Sequence, residues 1–240
     1  MDGSKTVSGT LYGVGVGPGD PELLTLKAAR IIRNCPVIAY PTLDGTASFA
    51  RSIVAAYLTN KTEIPISIPM GNTAATQQAY DDASRKITDQ LAASRDVAVL
   101  CEGDPFFYGS FMYIYARLFE HHPVMVIPGV SSPMAAAAAL SMPLAAHNDV
   151  FTVLPAPLDD TVLIARLTAT DSAAIIKLGR HFTRIHALLR HLGLVDRSRY
   201  IERATLPAQK LLPLDRVQAD HVPYFSMILV HRRSVAWQDG

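Results

Sequence analysis

Cysteine is scarce in this chain: Cys35 and Cys101 are the only two in 240 residues. They stand far apart with no C-x-x-C spacing, which argues against a dithiol redox pair and against a structural zinc site. Cys101 ends an apolar run and reads as a buried core thiol. Long apolar runs are missing as well: none reaches the roughly 18 residues that a membrane-spanning helix needs. The first eight residues are short, polar and unlike a secretory leader, so a cytoplasmic protein without membrane attachment is expected. Net charge is only +1, which gives no bulk field for nucleic acid. Nor is there a long polar tract that would suggest disorder, and 49% apolar residues are ample for a core. The length suits one large domain or two modest ones.

The charge that is present is unevenly spread. Residues 177–203 hold Lys177, Arg180, Arg184, Arg190, Arg197, Arg199 and Arg203 against Asp196 and Glu202, a local excess of five positive charges. Such a cluster is ordinarily a solvated face, and it gains interest if the ligand is a polyanion. His181, His186 and His191 recur every five residues. On a helix that places successive rings about 140° apart. They cannot share a face as an i, i+4 metal pair does, and no metal site is expected from them.

The chain is organised around Gly13-Val-Gly-Val-Gly-Pro-Gly-Asp-Pro-Glu-Leu-Leu-Thr25. Thr10–Val14 reads as a short strand, and a helix is expected from Pro21, with Asp20 as N-cap. Glycines here would let backbone approach a ligand closely, because they carry no Cβ. The dinucleotide fingerprint G-x-G-x-x-G fails: the third glycine falls on Pro18 counting from Gly13 and on Asp20 counting from Gly15. No Gly-Lys-Ser/Thr follows, so a P-loop fails too.

Beyond this turn the chain alternates. Strands are expected at Pro36–Tyr40 and Val97–Cys101, then Val124–Ile127, with an edge strand or loop at Glu63–Met70. Helices are expected at Ser48–Leu58 and Asn72–Ser94, then from Ser110 to Glu120 and after Pro133. The long helix carries Tyr80, Ile87 and Leu91 as one buried stripe. This rhythm means a doubly wound α/β domain. Its loops at Gly15–Asp20, Gly103–Tyr108 and Gly129–Ser132 each follow the carboxyl end of a strand, the edge at which open α/β sheets bind ligands.

Met142–Asp149 breaks the pattern and reads as a linker. It gives an N-terminal α/β domain over 1–143 and a smaller α/β domain over 144–240, with the cleft between them as the natural site. In the second, strands are expected near Val150–Leu154, Ala174–Leu178, Tyr200–Arg203, Gln209–Leu212 and Tyr224–Val230, with a loose tail from His231. Asp104, in Gly-Asp-Pro, suits either a helix cap or a ligand acceptor. Ser131 and Ser132 suit N-capping of the alanine-rich helix, and no G-x-S-x-G makes either a nucleophile.

With these residues assembled, the chain resembles the tetrapyrrole methylase family. The matching pieces are Tyr12–Ala28, Glu102-Gly-Asp-Pro-Phe-Phe-Tyr-Gly109 and Pro128-Gly-Val-Ser-Ser-Pro-Met-Ala-Ala-Ala137 in the first half. In the second they are Lys177-Leu-Gly-Arg180, Tyr200-Ile-Glu-Arg-Ala-Thr205 and Pro223-Tyr-Phe-Ser-Met-Ile228. The resemblance implies two α/β domains with a cofactor cleft between them, and S-adenosylmethionine as the methyl donor, leaving S-adenosylhomocysteine. It implies that Gly103, Asp104, Phe107, Ser131, Ser132, Leu178, Ala204 and Tyr224 border the cofactor, several through backbone. Gly17, Pro18, Gly19 and Asp20 would face the tetrapyrrole. Arg180 or Arg203 would hold its carboxylates, while Arg184 and Arg190 would face solvent.

In detail the motifs are most similar to the branch that methylates precorrin-2 at C20, giving precorrin-3A in cobalamin biosynthesis. The branch acting on cobalt-factor II is the alternative, and a non-catalytic ligand-binding relative is the second alternative. The resemblance further implies a homodimer, and it names no catalytic base.

Overall fold

The computed structural model of the chain describes residues 8–43, 46–69 and 73–233. They fall into two compact units that divide between Ser131 and Ser132. The linker was expected later, at 142–149. The division lies earlier because the alanine-rich helix packs Ala136 against Leu144, Ala174, Ile201 and Leu229 of the second unit.

The first unit runs β1 (Leu11–Gly15), α1 (Leu26–Asn34), β2 (Val37–Leu43), α2 (Phe49–Ile53) and β3 (Thr62–Ile68). It continues through α3 (Thr73–Ala92), β4 (Val97–Cys101), α4 (Phe111–Leu118) and β5 (Val124–Ile127). The strands lie in the order β3-β2-β4-β1-β5, and every pair is parallel. Strand β4 is buried along its whole length because both of its faces are covered. Val97, Val99 and Cys101 join Tyr80, Ile87 and Leu91 of α3 and Phe111 and Ile114 of α4. Ala98 and Leu100 join Ile32 of α1 and Ile53 of α2 on the other face. The stripe expected on α3 is thus its buried face.

The edge position of β3 agrees with the sequence, and Pro65 lies within it. A proline has no N–H to give a ladder, and an edge strand leaves one side without that demand. Met70 and Asn72, the expected ends of the neighbouring segments, lie outside the described residues.

The helix expected from Pro21 starts later. Asp20 does accept the N–H of Glu22, at 2.8 Å, but it caps only a single 3-10 turn over Pro21–Leu23. Leu24 and Thr25 then return to extended backbone, and Thr25 Oγ1 caps α1 by accepting the N–H of Ala28 at 3.1 Å. Two caps in series break what composition alone reads as one helix.

The second unit contains α5 (Ser132–Ala139), β6 (Phe151–Pro155), α6 (Asp160–Ala169), β7 (Ser172–Ile176) and α7 (Phe182–His191). It closes with β8 (Ser198–Glu202), β9 (Lys210–Leu212) and β10 (Ser226–His231). Its sheet is mixed, in the order β6-β7-β10-β8-β9, with only β6 and β7 parallel neighbours. Leu154, Ile175, Tyr200 and Ile228 pack beneath α6 and α7. Strand β7 ends at Ile176 rather than Leu178, because Lys177 adopts a left-handed φ of 56°. Of the expected tail, His231 is the buried end of β10, and residues 234–240 lie outside the described residues. No helix among the described residues is long and apolar enough to cross a membrane.

Candidate functional site

The topology of the first sheet selects one place on its edge. Strand β1 lies between β4 and β5, and β4 lies between β1 and β2. The connection after β1 therefore leaves towards β2, and the connection after β4 leaves the other way, towards β5. Helix α1 packs on one face of the sheet and α4 on the other. The carboxyl ends of β1 and β4 are thus a point where strand order reverses, and connections diverging there leave a crevice suited to a ligand. The loops at this point begin at Val16 and Glu102.

These two loops are joined by backbone. Gly103 N–H donates to the Gly17 carbonyl at 2.8 Å, and Gly17 N–H returns a longer bond to the Gly103 carbonyl at 3.3 Å. Gly103 has a φ of 64°, a conformation in which a side chain is strained. The third loop, after β5, is packed against both. A Cβ built on Gly129 would lie 2.1 Å from the Gly103 carbonyl oxygen and 2.9 Å from Gly15. The missing side chain here makes room for protein backbone. The sequence reading gave Gly17, Gly19 and Gly103 to ligands and left Gly129 without a role; loop-on-loop packing is what requires Gly129.

Asp104 closes the same knot. Its Oδ1 accepts the N–H of Phe106 at 2.9 Å and its Oδ2 accepts the N–H of Gly129 at 3.1 Å. It caps no helix: the residue before α4 is Ser110, which makes no side-chain capping bond. Phe107 is half-buried, with its N–H on the Asp104 carbonyl and its ring edge-on to Tyr108. Gly17 and Gly19 are buried, whereas Pro18 and Asp20 are half-buried at the surface of the loop.

Sequence reasoning passed over Glu102. It follows the last residue of β4, and its Oε1 accepts the N–H of Ala50, in the first turn of α2, at 3.2 Å. Burial raises the pKa of its carboxyl above the ordinary range, and hydrogen bonds from its own backbone N–H and from Ala50 offset this only in part. No cation pairs with it among the described residues. An acid placed directly at the end of a buried strand was the available signal. Neighbouring Cys101 is inert by the same physics: burial pushes its thiol up to about 11.

In the second unit, β7 and β8 both run antiparallel to β10, so they end at the same edge of the sheet. Two basic residues there adopt left-handed backbone, Lys177 at 56° and Arg203 at 48°, a conformation that costs a non-glycine residue about 1 kcal/mol or more. Arg203 N–H donates to the Phe225 carbonyl at 2.7 Å, and its guanidinium lies 3.5 Å from the buried Glu202 carboxylate. Leu178 is fully buried in the core. Ala204 is half-buried, and Tyr224 is 71% exposed just ahead of β10. Arg180 is exposed and makes no hydrogen bond or ion pair among the described residues.

Arg184 departs from expectation. Rather than facing solvent, it donates to the carbonyls of Ala156 and Leu158 and pairs with Asp160, stitching the β6–α6 connection. Arg190 is largely exposed and pairs with Asp215. His186 lies 3.0 Å from the same carboxylate, and its ring stacks on Phe182.

S-adenosylmethionine presents an ammonium, a carboxylate, ribose hydroxyls and a purine. The half-buried hydroxyls of Ser131 and Ser132 make no hydrogen bond among the described residues, so neither caps α5 as the sequence suggested. Uncommitted hydroxyls suit such a ligand's polar groups, and the exposed ring of Tyr224 suits a purine. The residues present fit the group.

Fold and loops therefore describe a two-unit α/β protein with a ligand edge rather than a nucleotide-fingerprint enzyme. Residues 10–218 match the family model of the Tetrapyrrole (Corrin/Porphyrin) Methylases, and the chain belongs to that family. It is 38% identical to a precorrin-2 C(20)-methyltransferase of Sinorhizobium, over 96% of this chain and 97% of that one. It is 31% identical to the cobalt-precorrin-2 C(20)-methyltransferase of Salmonella typhimurium, over 95% and 98%. The cobalamin biosynthesis protein CobIJ of Mycobacterium tuberculosis is 40% identical over 92% of this chain, which spans 46% of that relative's length. Among solved structures, uroporphyrin-III C-methyl transferase from Thermus thermophilus with S-adenyl homocysteine superposes with a TM-score of 0.68. That match is 26% identical and covers 92% of this chain and 97% of that one.

Proposed function

We propose that the chain transfers a methyl group from S-adenosylmethionine to C20 of precorrin-2, forming precorrin-3A in cobalamin biosynthesis. The observation that supports this most is end-to-end similarity to a relative named for that reaction, across both units. The cofactor supplies an electrophilic sulfonium methyl group. The protein's part is alignment of the reacting carbon, a proximity effect worth up to about 7–11 kcal/mol. In the first unit we assign cofactor contacts to Gly103, Asp104, Phe107 and Ser131. In the second we assign Ser132, the backbone of Leu178, Ala204 and Tyr224. The Gly17–Asp20 loop is assigned to the tetrapyrrole.

Arg180 and Arg203 are assigned to the substrate's carboxylates, for which the planar guanidinium fork is the best side chain. Arg180, exposed and without an ion pair among the described residues, is the stronger of the two. Arg203 shares its charge with Glu202.

Similarity to a cobalt-precorrin-2 enzyme supports the second reading, in which the substrate carries cobalt. Methyl transfer from labelled cofactor to both substrates, assayed side by side, separates the two. Label in neither, with S-adenosylhomocysteine still bound, would overturn both and favour a ligand-binding relative. We extend the reading to a cytoplasmic homodimer, on family grounds. Light scattering should then give twice the 26.0 kDa chain mass.

A further inference from the structure

The proposed reaction leaves a proton to be removed. When C20 takes the methyl group, the new bond uses π electrons of the ring, which becomes positively charged. The C20–H bond must then break, its electron pair restoring conjugation and its proton passing to a base. The crevice between the ends of β1 and β4 offers few acids. Asp104 has both oxygens committed to backbone N–H groups, one of them in the neighbouring loop. Asp20 spends Oδ1 on Glu22 N–H and stands at the outer end of its loop.

Glu102 is placed differently. Its chain neighbour Gly103 is bonded in both directions to the loop after β1. Its own Oε1 is held by Ala50, in the segment that follows β2. Strand β4 lies between β2 and β1, so Glu102 stands where the connections from all three strands meet, at the reversal of strand order. The Ala50 bond holds Oε1, the residue's own backbone N–H also reaches the carboxylate, and among the described residues no other side chain or cation engages it.

We propose that Glu102 is the general base that takes the C20 proton on Oε2, an inference that rests on the C20-methylation reading. On accepting it the carboxylate becomes a carboxylic acid, and the proton then leaves to solvent. Burial without a counter-cation makes this carboxylate a stronger base than a solvated one, which suits it to the task. Cys101 on β4 and Tyr80 on α3 feel its charge, and neither is cationic.

The test uses the full chain and Glu102→Gln, which keeps an acceptor for Ala50 N–H. With S-adenosylhomocysteine bound, exchange of the substrate's C20 hydrogen in D2O is followed by NMR alongside steady-state methyl transfer. Expected are S-adenosylhomocysteine affinity within about twofold of wild type, loss of the C20 exchange, and a kcat at least about 100-fold lower with little change in KM. The acidic limb of the kcat–pH profile should vanish with the carboxyl. Equal exchange and an intact acidic limb in the variant would overturn the assignment while leaving C20 methylation in place. A wild-type chain that methylates neither precorrin-2 nor its cobalt counterpart would instead bring down the functional reading and the base with it.

Discussion

Asp104 and Gly129 are joined by a 3.1 Å hydrogen bond from the glycine N–H to carboxylate Oδ2, which ties the loop after β4 to the loop after β5. One side chain thereby fixes the spacing of two ligand-edge loops from strands that are not neighbours in the sheet, since β1 lies between them.

Asp104→Asn tests this tie. An amide keeps one acceptor oxygen, so either Phe106 or Gly129 loses its partner and a donor faces a donor. Urea unfolding of the variant should show a loss of roughly 1–3 kcal/mol, larger than a helix cap exchanged for its near-equivalent. S-adenosylhomocysteine affinity should fall as well. A change below about 0.5 kcal/mol with affinity intact would mean that the loops hold their spacing without it.

Gly129→Ala and Gly17→Ala should differ sharply. At Gly129 the new methyl would press on the carbonyl of Gly103 and the backbone of Gly15, which cannot turn away as a side chain can. Overpacking of this kind costs about 1–3 kcal/mol, and the variant should also lose cofactor binding. At Gly17 the nearest atom lies 3.4 Å off, so only the strain of its φ of 77° remains, about 1 kcal/mol. Thermal melts of the two variants with and without S-adenosylhomocysteine measure both effects.

Glu102 makes stability depend on pH in a definite direction. Its folded pKa is raised above the unfolded 4.5, so the folded state binds its proton more tightly than the unfolded chain does. The resulting stabilisation is complete below about pH 4.5 and is lost as pH rises through the folded value. Glu102→Gln removes this slope, and it should be at least as stable as wild type at pH 7. Denaturation curves at pH 5, 6 and 7 check it; a variant markedly less stable at pH 7 would show that the carboxylate is a structural anchor.

Both thiols should resist alkylation in the folded protein. Burial raises Cys35 to about 12 and Cys101 to about 11, and little thiolate exists at pH 8. Mass spectrometry after iodoacetamide should find neither labelled until denaturant is added.

Arg180→Gln and Arg203→Gln should each raise the substrate KM while cofactor affinity stays within about twofold. The effect should shrink with added salt, as a screened interaction must. Arg180→Gln should have the larger effect, because the carboxylate of Glu202 already faces Arg203.

Much of the frame was legible in the chain. Alternating apolar segments announced a doubly wound sheet, since a strand covered on both faces must be apolar throughout, as Val97–Cys101 is. The three loops could be located because each follows such a strand, and Asp20, Asp104 and the glycines could be named from turn chemistry. What those residues touch was not legible. Whether Gly129 faces a ligand or the Gly103 carbonyl, and whether Asp104 caps a helix or ties two loops, depends on strand order. Strand order comes from how non-local segments pair, which no local pattern records. The same holds for Glu102, whose basicity arises from burial beside α2 rather than from its sequence neighbours. It holds too for Arg184, which reads as a surface charge until the fold brings the carbonyls of Ala156 and Leu158 to it. The sequence by itself determined the alternation of strands and helices and the loops that follow the strands. Tertiary structure alone decided which residues meet, because desolvation and close contact belong to the packed chain.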